Sequence, residues 1–158
     1  MKRRKWKAYA FWIALPEIVG AVSGLLTRTG TKRYAELLVK PPLSPPGVVF
    51  PIVWAILYAL MGVGAARVWL TPISEPRRRA ITLFCVQLAF NFFWSIIFFG
   101  AQSYLGALVW LIAMWILILS MTLAFRRVDR PAAYLQIPYL VWVAFAGYLN
   151  AGVWLLNR

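Results

Sequence analysis

Residues 104–125 read YLGALVWLIAMWILILSMTLAF, a run of 22 residues without one charged side chain. The run ends at Arg126 and Arg127. A helix needs about 20 apolar residues to cross the hydrocarbon core of a bilayer. A barrel strand would alternate polar and apolar residues over about 10 positions, and this run does not alternate. The stretch therefore predicts a transmembrane helix.

The rest of the chain repeats this pattern. Only 13% of the 158 residues are charged, against about 25% in average soluble domains, so a water-exposed surface cannot be built. Apolar segments long enough to span a membrane lie near Tyr9–Leu26, Val48–Leu70, Ala80–Gly100, Tyr104–Phe125 and Ala132–Leu156. We predict an all-α membrane protein with one domain over residues 1–158. It forms a bundle of five transmembrane helices with a long loop between helices 1 and 2.

The net charge of +13 is distributed at the ends of these segments, which argues against nucleic acid as a partner. Eleven cations fall on one side of the membrane, and Arg67 near the end of helix 2 adds another. They are Lys2, Arg3, Arg4, Lys5, Lys7, Arg77, Arg78, Arg79, Arg126, Arg127 and Arg130. The other side carries Arg28, Lys32, Arg33, Lys40 and Arg158. The excess predicts a cytoplasmic N-terminus in a bacterial cytoplasmic membrane, with the clusters touching anionic lipid.

Catalysis by the commonest side chains is not expected. The chain contains no histidine and a single cysteine, Cys85, within helix 3. Histidine is the commonest metal ligand and the commonest general base. We therefore predict no metal site and no required cofactor.

The connection between helices 1 and 2 is unusually long. Loops of this length are often lids or binding loops. Its first half, residues 32–38, fits a short interfacial helix. Its second half, KPPLSPPG at 40–47, contains two proline pairs, which predict a stiff, extended segment. A plain connector is the alternative interpretation.

Two features of helix 1 stand out. Glu17 is the only acidic residue near the middle of a predicted span, and intramembrane charges usually face a cavity or a partner. It fits a proton carrier, or a protonated carboxyl beside the Pro16 kink. Gly20 and Gly24 form a small-xxx-small pair that permits close helix packing, within the chain or with a second protomer.

Aromatic and amide side chains share faces of three helices. In helix 3, Gln87, Asn91 and Trp94 are spaced to lie on one face. They fit hydrogen-bonded contacts between helices or the lining of a cavity. Helix 2 aligns Phe50, Trp54, Tyr58 and Met61, and helix 5 aligns Pro138, Trp142, Phe145 and Leu149. Trp54 and Trp142 lie deep enough to form walls of an apolar pocket.

Together these motifs resemble the TspO/MBR family of tryptophan-rich sensory proteins and translocator proteins. The matching motifs are spread in order over nearly the whole chain. They are Gly24-Leu25-Leu26, Tyr34-x2-Leu37-x2-Lys40-Pro41-Pro42-x2-Pro45-Pro46-Gly47, Phe50-Pro51-x2-Trp54-x3-Tyr58-x2-Met61, Gln87-Leu88-Ala89-x-Asn91-x2-Trp94, Phe98-Phe99-Gly100 and Pro138-Tyr139-Leu140-x-Trp142-x-Ala144-Phe145-Ala146-x2-Leu149-Asn150.

The resemblance implies a five-helix bundle whose first loop folds over an internal pocket. Members of the family bind tetrapyrroles such as protoporphyrin IX, along with isoquinoline and benzodiazepine-type ligands, and animal members bind cholesterol. The implied ligand-binding residues, extended by the helical faces above, form one set. They are Tyr34, Trp54, Tyr58, Gln87, Asn91, Trp94, Trp142, Phe145 and Ala146. The resemblance also implies a homodimer, for which Gly20 and Gly24 are one candidate contact.

The chain departs from the family pattern in places. Many relatives have tryptophan where Arg33 and Leu43 stand here. The cholesterol motif of animal members is replaced by Ala151 and Gly152, so we do not expect cholesterol binding. We expect Lys40 or Arg33 to bind the carboxylates of the ligand. Asn91 and Tyr34 are expected to form hydrogen bonds with the polar edge of the ligand.

Three functions follow as hypotheses. The first is a porphyrin-binding protein that acts in tetrapyrrole sensing, transport or stress regulation. The second is a light-dependent porphyrin-degrading enzyme with Trp54 and Trp142 as candidate catalytic residues. The third is a small proton-coupled transporter that uses Glu17. Free porphyrin is expected in preference to haem, because no histidine can act as an axial ligand.

Overall fold

The computed structural model describes residues 2–158, which form a bundle of long helices connected by short turns. In the described part of the chain, five segments are long and apolar enough to cross a membrane. The protein is therefore an integral, multi-pass membrane protein. The elements are α1 (Lys2–Leu26), α2 (Arg28–Leu37), α3 (Val49–Trp69), α4 (Glu75–Ser95, continued by a π-helical turn, Ile96–Gly100), α5 (Tyr104–Val128), α6 (Arg130–Tyr134) and α7 (Ile137–Leu156).

The helices extend beyond the apolar runs at the N-terminal end of the bundle. α1 begins at Lys2, not near Tyr9, so its basic residues form about two additional turns. α4 begins at Glu75, where the Ser74 hydroxyl accepts a 3.3 Å hydrogen bond from the Arg77 N–H. Hydropathy marks where a helix enters the membrane, whereas caps and propensity decide where it begins.

The last span is not one continuous helix over residues 132–156. It is divided into α6 and α7 at Leu135 and Gln136. Pro138 lacks an N–H and would clash with the carbonyl of residue 134, where α6 ends. The amide of Gln136 is fully buried, and its Nε2 donates to the carbonyl of Ala132 at 3.2 Å.

The core of the bundle is tightly packed in the half nearest the N-terminus. Large side chains that are almost wholly buried fill it, among them Trp12, Met61, Phe84 and Phe125. α1 and α3 approach closely because Gly62 has no side chain, and a Cβ there would overlap the backbone of Trp12 and Ile13. Small residues at such crossings allow close packing in membranes.

The Gly20–Gly24 pair does not form such a crossing. A Cβ on Gly20 would overlap the ring of Tyr58 in the same chain, whereas a Cβ on Gly24 would meet no atom within 4 Å. Both glycines face an internal cavity. Gly20 therefore packs within the chain, and the contact with a second protomer stays a prediction.

Candidate functional site

A cavity of about 1100 Å³ occupies the half of the bundle opposite the N-terminus. It lies among α1, α3, α4 and α7 and is covered by residues 27–48, which we call the lid. Ligand pockets typically measure about 300–1,000 Å³, so this cavity admits a large ligand. Its walls include Gly20, Gly24, Tyr34, Phe50, Trp54, Tyr58, Asn91, Trp94, Phe98, Phe99, Trp142, Ala146, Leu149 and Asn150.

The structure brings most of the predicted site residues together around this space. Seven of the nine lie on its wall, namely Tyr34, Trp54, Tyr58, Asn91, Trp94, Trp142 and Ala146. The other two, Gln87 and Phe145, do not line it. The aromatic face of α3 and the amide face of α4 are thus both turned toward the cavity.

Gln87 lies behind the cavity, in a chain of hydrogen bonds that we call the floor network. The Tyr58 hydroxyl donates to Asn91 Oδ1 at 2.8 Å, and Asn91 Nδ2 donates to the Tyr139 hydroxyl at 2.7 Å. The Tyr139 hydroxyl donates in turn to Gln87 Oε1 at 2.8 Å. The network connects α3, α4 and α7, so Gln87 joins helices and is kept from the cavity by Tyr139.

Phe145 lies on the flank of the cavity-facing side of α7. The wall residues of this helix follow helical spacing, at Trp142, Ala146, Leu149 and Asn150. The Phe145 ring instead packs between Trp142 at 5.6 Å and Tyr148 at 6.0 Å, measured between ring centroids. It therefore supports the Trp142 ring from outside the cavity.

The indole N–H groups of the wall tryptophans differ in their hydrogen bonding. Trp94 Nε1 donates to Asn150 Oδ1 at 3.1 Å, and the Trp94 ring stacks on Phe98 with centroids 5.2 Å apart. Trp142 Nε1 is buried and has no partner among the described residues. A buried donor without an acceptor costs about 1–3 kcal/mol.

The lid begins with a helix, as expected, but α2 starts at Arg28 and not at residue 32. Its Tyr34 ring points into an aromatic cluster with Phe50, Phe98 and Phe99, at centroid distances of 5.8–6.3 Å. Burial raises the pKa of the Tyr34 hydroxyl, and the nearby Ser44 side chain opposes this only in part. The hydroxyl therefore remains protonated, and able to donate, at neutral pH.

The proline-rich half of the lid is fixed to the end of α7. Asn157 makes two hydrogen bonds to the backbone of Val39, one accepted at 2.9 Å and one donated at 2.7 Å. The Tyr148 hydroxyl donates to the carbonyl of Pro42 at 2.6 Å. Pro41 packs where Gly152 has no side chain, and a Cβ there would overlap its ring.

Cationic side chains surround the mouth of the cavity. Arg28, Lys32 and Lys40 line it, whereas Arg33 does not. The Lys40 ammonium lies 5.3 Å from the centroid of the Tyr34 ring and donates to the carbonyl of Ala35 at 3.0 Å. The ion pairs within residues 2–158 join Arg67 to Asp129 and Arg78 to Glu75, far from this rim. The rim is therefore positively charged.

Glu17 also lies on the cavity wall, half-buried in α1. Its carboxyl makes no hydrogen bond or ion pair to the side chains that the structure describes. The Glu17 carboxyl therefore faces the cavity and not the lipid. An intramembrane charge is expected to face either a cavity or a partner.

Several wall residues were not predicted from the sequence. Arg28, Thr31, Lys32 and Ala35 line the cavity together. Their spacing is that of one helical face, and it becomes visible once α2 is extended back to residue 28. Asn150 was identified only as part of a motif, and its amide also donates to the carbonyl of Tyr104 at 2.8 Å.

Comparison with known proteins agrees with this architecture. The sequence model of the TspO/MBR family matches residues 12–155. The chain is 42% identical to the tryptophan-rich protein TspO of Chlorobaculum tepidum, over 94% of each chain. It is 34% identical to the translocator protein of Bos taurus, over 97% of this chain and 92% of the relative. It is 37% identical to protein CrtK of Rhodobacter capsulatus, over 77% of each chain. The chain therefore belongs to the TspO/MBR family.

Proposed function

We propose that this protein binds a metal-free porphyrin, of the protoporphyrin IX type, in the cavity beneath the lid. The observation that carries the proposal is the combination of aromatic walls with a cationic mouth, whose Arg28, Lys32 and Lys40 form no ion pair within residues 2–158. A porphyrin carries both matching features, a flat apolar ring and carboxylate side chains. The expected role is in tetrapyrrole sensing, transport or stress regulation.

The walls suit a flat aromatic ring. Trp54 and Trp142 line the cavity from α3 and α7, and Trp94 with Phe98 contributes a stacked pair from α4. Aromatic rings prefer offset stacked or edge-to-face contacts, each worth about 0.5–1.5 kcal/mol beyond burial of area. Rigid indoles therefore provide both affinity and a preference for planar ligands.

The polar groups that remain available fit the edges of such a ring. Arg28, Lys32 and Lys40 at the mouth can form charge-assisted hydrogen bonds with propionates. Asn91 contributes less than expected from the sequence, since its amide already bonds Tyr58 and Tyr139.

Metal-free porphyrin is favoured over haem by the chemistry of the wall. Among residues 2–158, no histidine, cysteine or methionine side chain lines the wall, and these are the usual axial ligands together with tyrosine. Of the two wall tyrosines, Tyr58 already uses its hydroxyl to bond Asn91. An iron centre would therefore find few ligands here.

The direct test is a dark titration of protoporphyrin IX into the purified protein, following tryptophan fluorescence. Trp54→Phe and Trp142→Phe should each raise the Kd about fivefold, given the value of an aromatic pair. Trp6→Phe is the matched control, because Trp6 lies outside the cavity and is 71% exposed. Wild-type protein that shows no saturable quenching would refute the proposal.

Illumination of the same samples addresses the degradation hypothesis. If Trp54 and Trp142 exchange electrons with an excited porphyrin and dissolved oxygen then oxidises the ring, the porphyrin absorbance should fall in aerated samples under light. The fall should be slower in both variants than in Trp6→Phe. An unchanged absorbance in light would eliminate the degradation hypothesis, and only the binding role would remain.

Proton-coupled transport is the second candidate, and the position of Glu17 on the cavity wall favours it. A carboxyl facing the ligand can exchange a proton as the ligand enters or leaves. Glu17→Gln should abolish porphyrin uptake driven by a proton gradient in liposomes, with dark binding unchanged. Uptake by the variant at the wild-type rate would eliminate this mechanism.

A further inference from the structure

A second cleft lies at the opposite end of the bundle from the porphyrin cavity. It measures about 550 Å³ and is formed by the first turns of α1 and the end of α3. Its lining residues are Arg4, Lys7, Ala8, Phe11, Trp12 and Trp69. The function proposed above makes no use of any of them.

The α1 residues of this cleft form one helical face that changes character along its length. Arg4 and Lys7 stand at the outer end, and Phe11 and Trp12 stand about 10 Å deeper, at 1.5 Å per residue. Phe11 is 58% exposed although it lies within the membrane span. The face therefore presents positive charge at the membrane surface and apolar area directly below it.

The opposite wall of the cleft is held rigidly. The Trp69 ring packs against Trp12 with centroids 5.5 Å apart. The Arg77 guanidinium covers the Trp69 ring at 4.2 Å and donates two hydrogen bonds, of 3.1 and 2.8 Å, to the Trp69 carbonyl. Arg77 thus fixes this wall and adds a third positive charge beside it.

Among the residues that the structure describes, no carboxylate neutralises the cations of the cleft. The acidic residues at this end are Glu75, which pairs with Arg78 at 3.5 Å, and Asp129, which pairs with Arg67 at 2.7 Å. Within residues 2–158, Arg4 and Lys7 form no ion pair. The cleft therefore has unmatched positive charge beside an exposed apolar surface.

We propose that this cleft is a binding site for one anionic phospholipid. The phosphate lies between Arg4 and Lys7, and the glycerol and first acyl carbons lie along Phe11 and Trp69. A lipid fits better than a soluble phosphate ester, because the deeper half of the cleft is apolar and continuous with the membrane-facing surface of α1. Basic clusters next to a span attract anionic lipid at about 1 kcal/mol per residue; here the cations are arranged around one cleft.

Native mass spectrometry from detergent micelles containing equal phosphatidylglycerol and phosphatidylcholine tests the proposal. The wild type should retain one phosphatidylglycerol, with a preference of about thirtyfold over phosphatidylcholine for two cations. The double variant Arg4→Gln/Lys7→Gln should lose this preference. The matched control is Lys2→Gln/Arg3→Gln, which removes the same charge from residues outside the cleft and should keep it.

Three results would overturn the proposal. Equal loss in both double variants would show diffuse attraction by the charge cluster and no site. Wild-type protein without a preference would show no recognition of the head group. Displacement of the lipid by millimolar glycerol 3-phosphate would show that the apolar half adds nothing. Phe11→Ala, which keeps all the charges and stays apolar within the membrane span, should weaken retention about threefold.

Discussion

The two halves of this bundle use the same residue types for opposite purposes. Near the N-terminus, Gly62 brings α1 and α3 into backbone contact, so that a Cβ would overlap Trp12 and Ile13. At the lid end, a Cβ on Gly24 would meet no atom within 4 Å, and the position lines the cavity. One glycine removes space between helices and the other preserves it. A glycine in a transmembrane helix is therefore understood only from what its missing side chain would touch.

The largest effect on stability is expected from a substitution that forces α1 and α3 apart in the packed half of the bundle. Gly62→Ala places a methyl group against the backbone of α1, which cannot move aside as a flexible side chain could. Overpacking of this kind costs about 1–3 kcal/mol of unfolding free energy. Reversible unfolding in mixed micelles, followed by circular dichroism, should show a lower midpoint for this variant than for wild type.

Gly24→Ala is the matched control for this substitution. It adds the same methyl group in the same type of helix, but into open space. Alanine is favoured over glycine within a helix by about 0.8–1 kcal/mol, so stability should stay level or rise. Equal destabilisation by the two substitutions would contradict the contrast between the halves.

The next effect tests whether the open half is a binding site. Gly24→Leu should place a branched side chain inside the cavity without meeting protein atoms. We expect porphyrin affinity to fall roughly 10- to 100-fold, because the leucine displaces ligand contacts of the size of one buried leucine side chain, about 1.5–3 kcal/mol. The dark titration measures the Kd, and the unfolding midpoint should match wild type. Undiminished porphyrin binding would place the ligand elsewhere.

A smaller effect is expected at the boundary between the halves, where the floor network lies. Asn91→Ala removes the acceptor of the Tyr58 hydroxyl and the donor to the Tyr139 hydroxyl. Interhelical hydrogen bonds in membranes contribute about 0.6–2 kcal/mol, so the unfolding free energy should fall by about 1 kcal/mol. Tyr58→Phe, which removes one bond and keeps the ring, should cost less. A variant as stable as wild type would show that the network adds no net stability.

The sequence predicted the bundle well because long apolar runs and charged ends follow directly from the physics of the bilayer. It predicted the face of α4 that carries Gln87 and Asn91, but not that Tyr139 would separate Gln87 from the cavity. That outcome depends on the rotation of α7, which is set by packing against other helices. Gly62 was not identified either, because a close contact depends on its partner. Hydropathy alone predicted one continuous last span, because it does not register the break that Pro138 causes at Gln136.

The smallest effect is expected at the lid, which covers the open half without being part of the bundle. Asn157→Ala removes both hydrogen bonds to Val39. They are exposed, and each is worth at most about 0.5–1.5 kcal/mol. The porphyrin dissociation rate should therefore rise two- to fivefold, roughly, while the unfolding midpoint is unchanged, because the α1–α3 contact lies in the other half. Stopped-flow displacement measures the rate.

Asn157→Asp is the comparison variant, since it keeps the oxygen acceptor but cannot donate to the Val39 carbonyl. Its dissociation rate should lie between those of wild type and Asn157→Ala. Unchanged dissociation from both variants would mean that the lid is held by its packing, with Pro41 on Gly152 and Tyr34 in its aromatic cluster, and not by its hydrogen bonds.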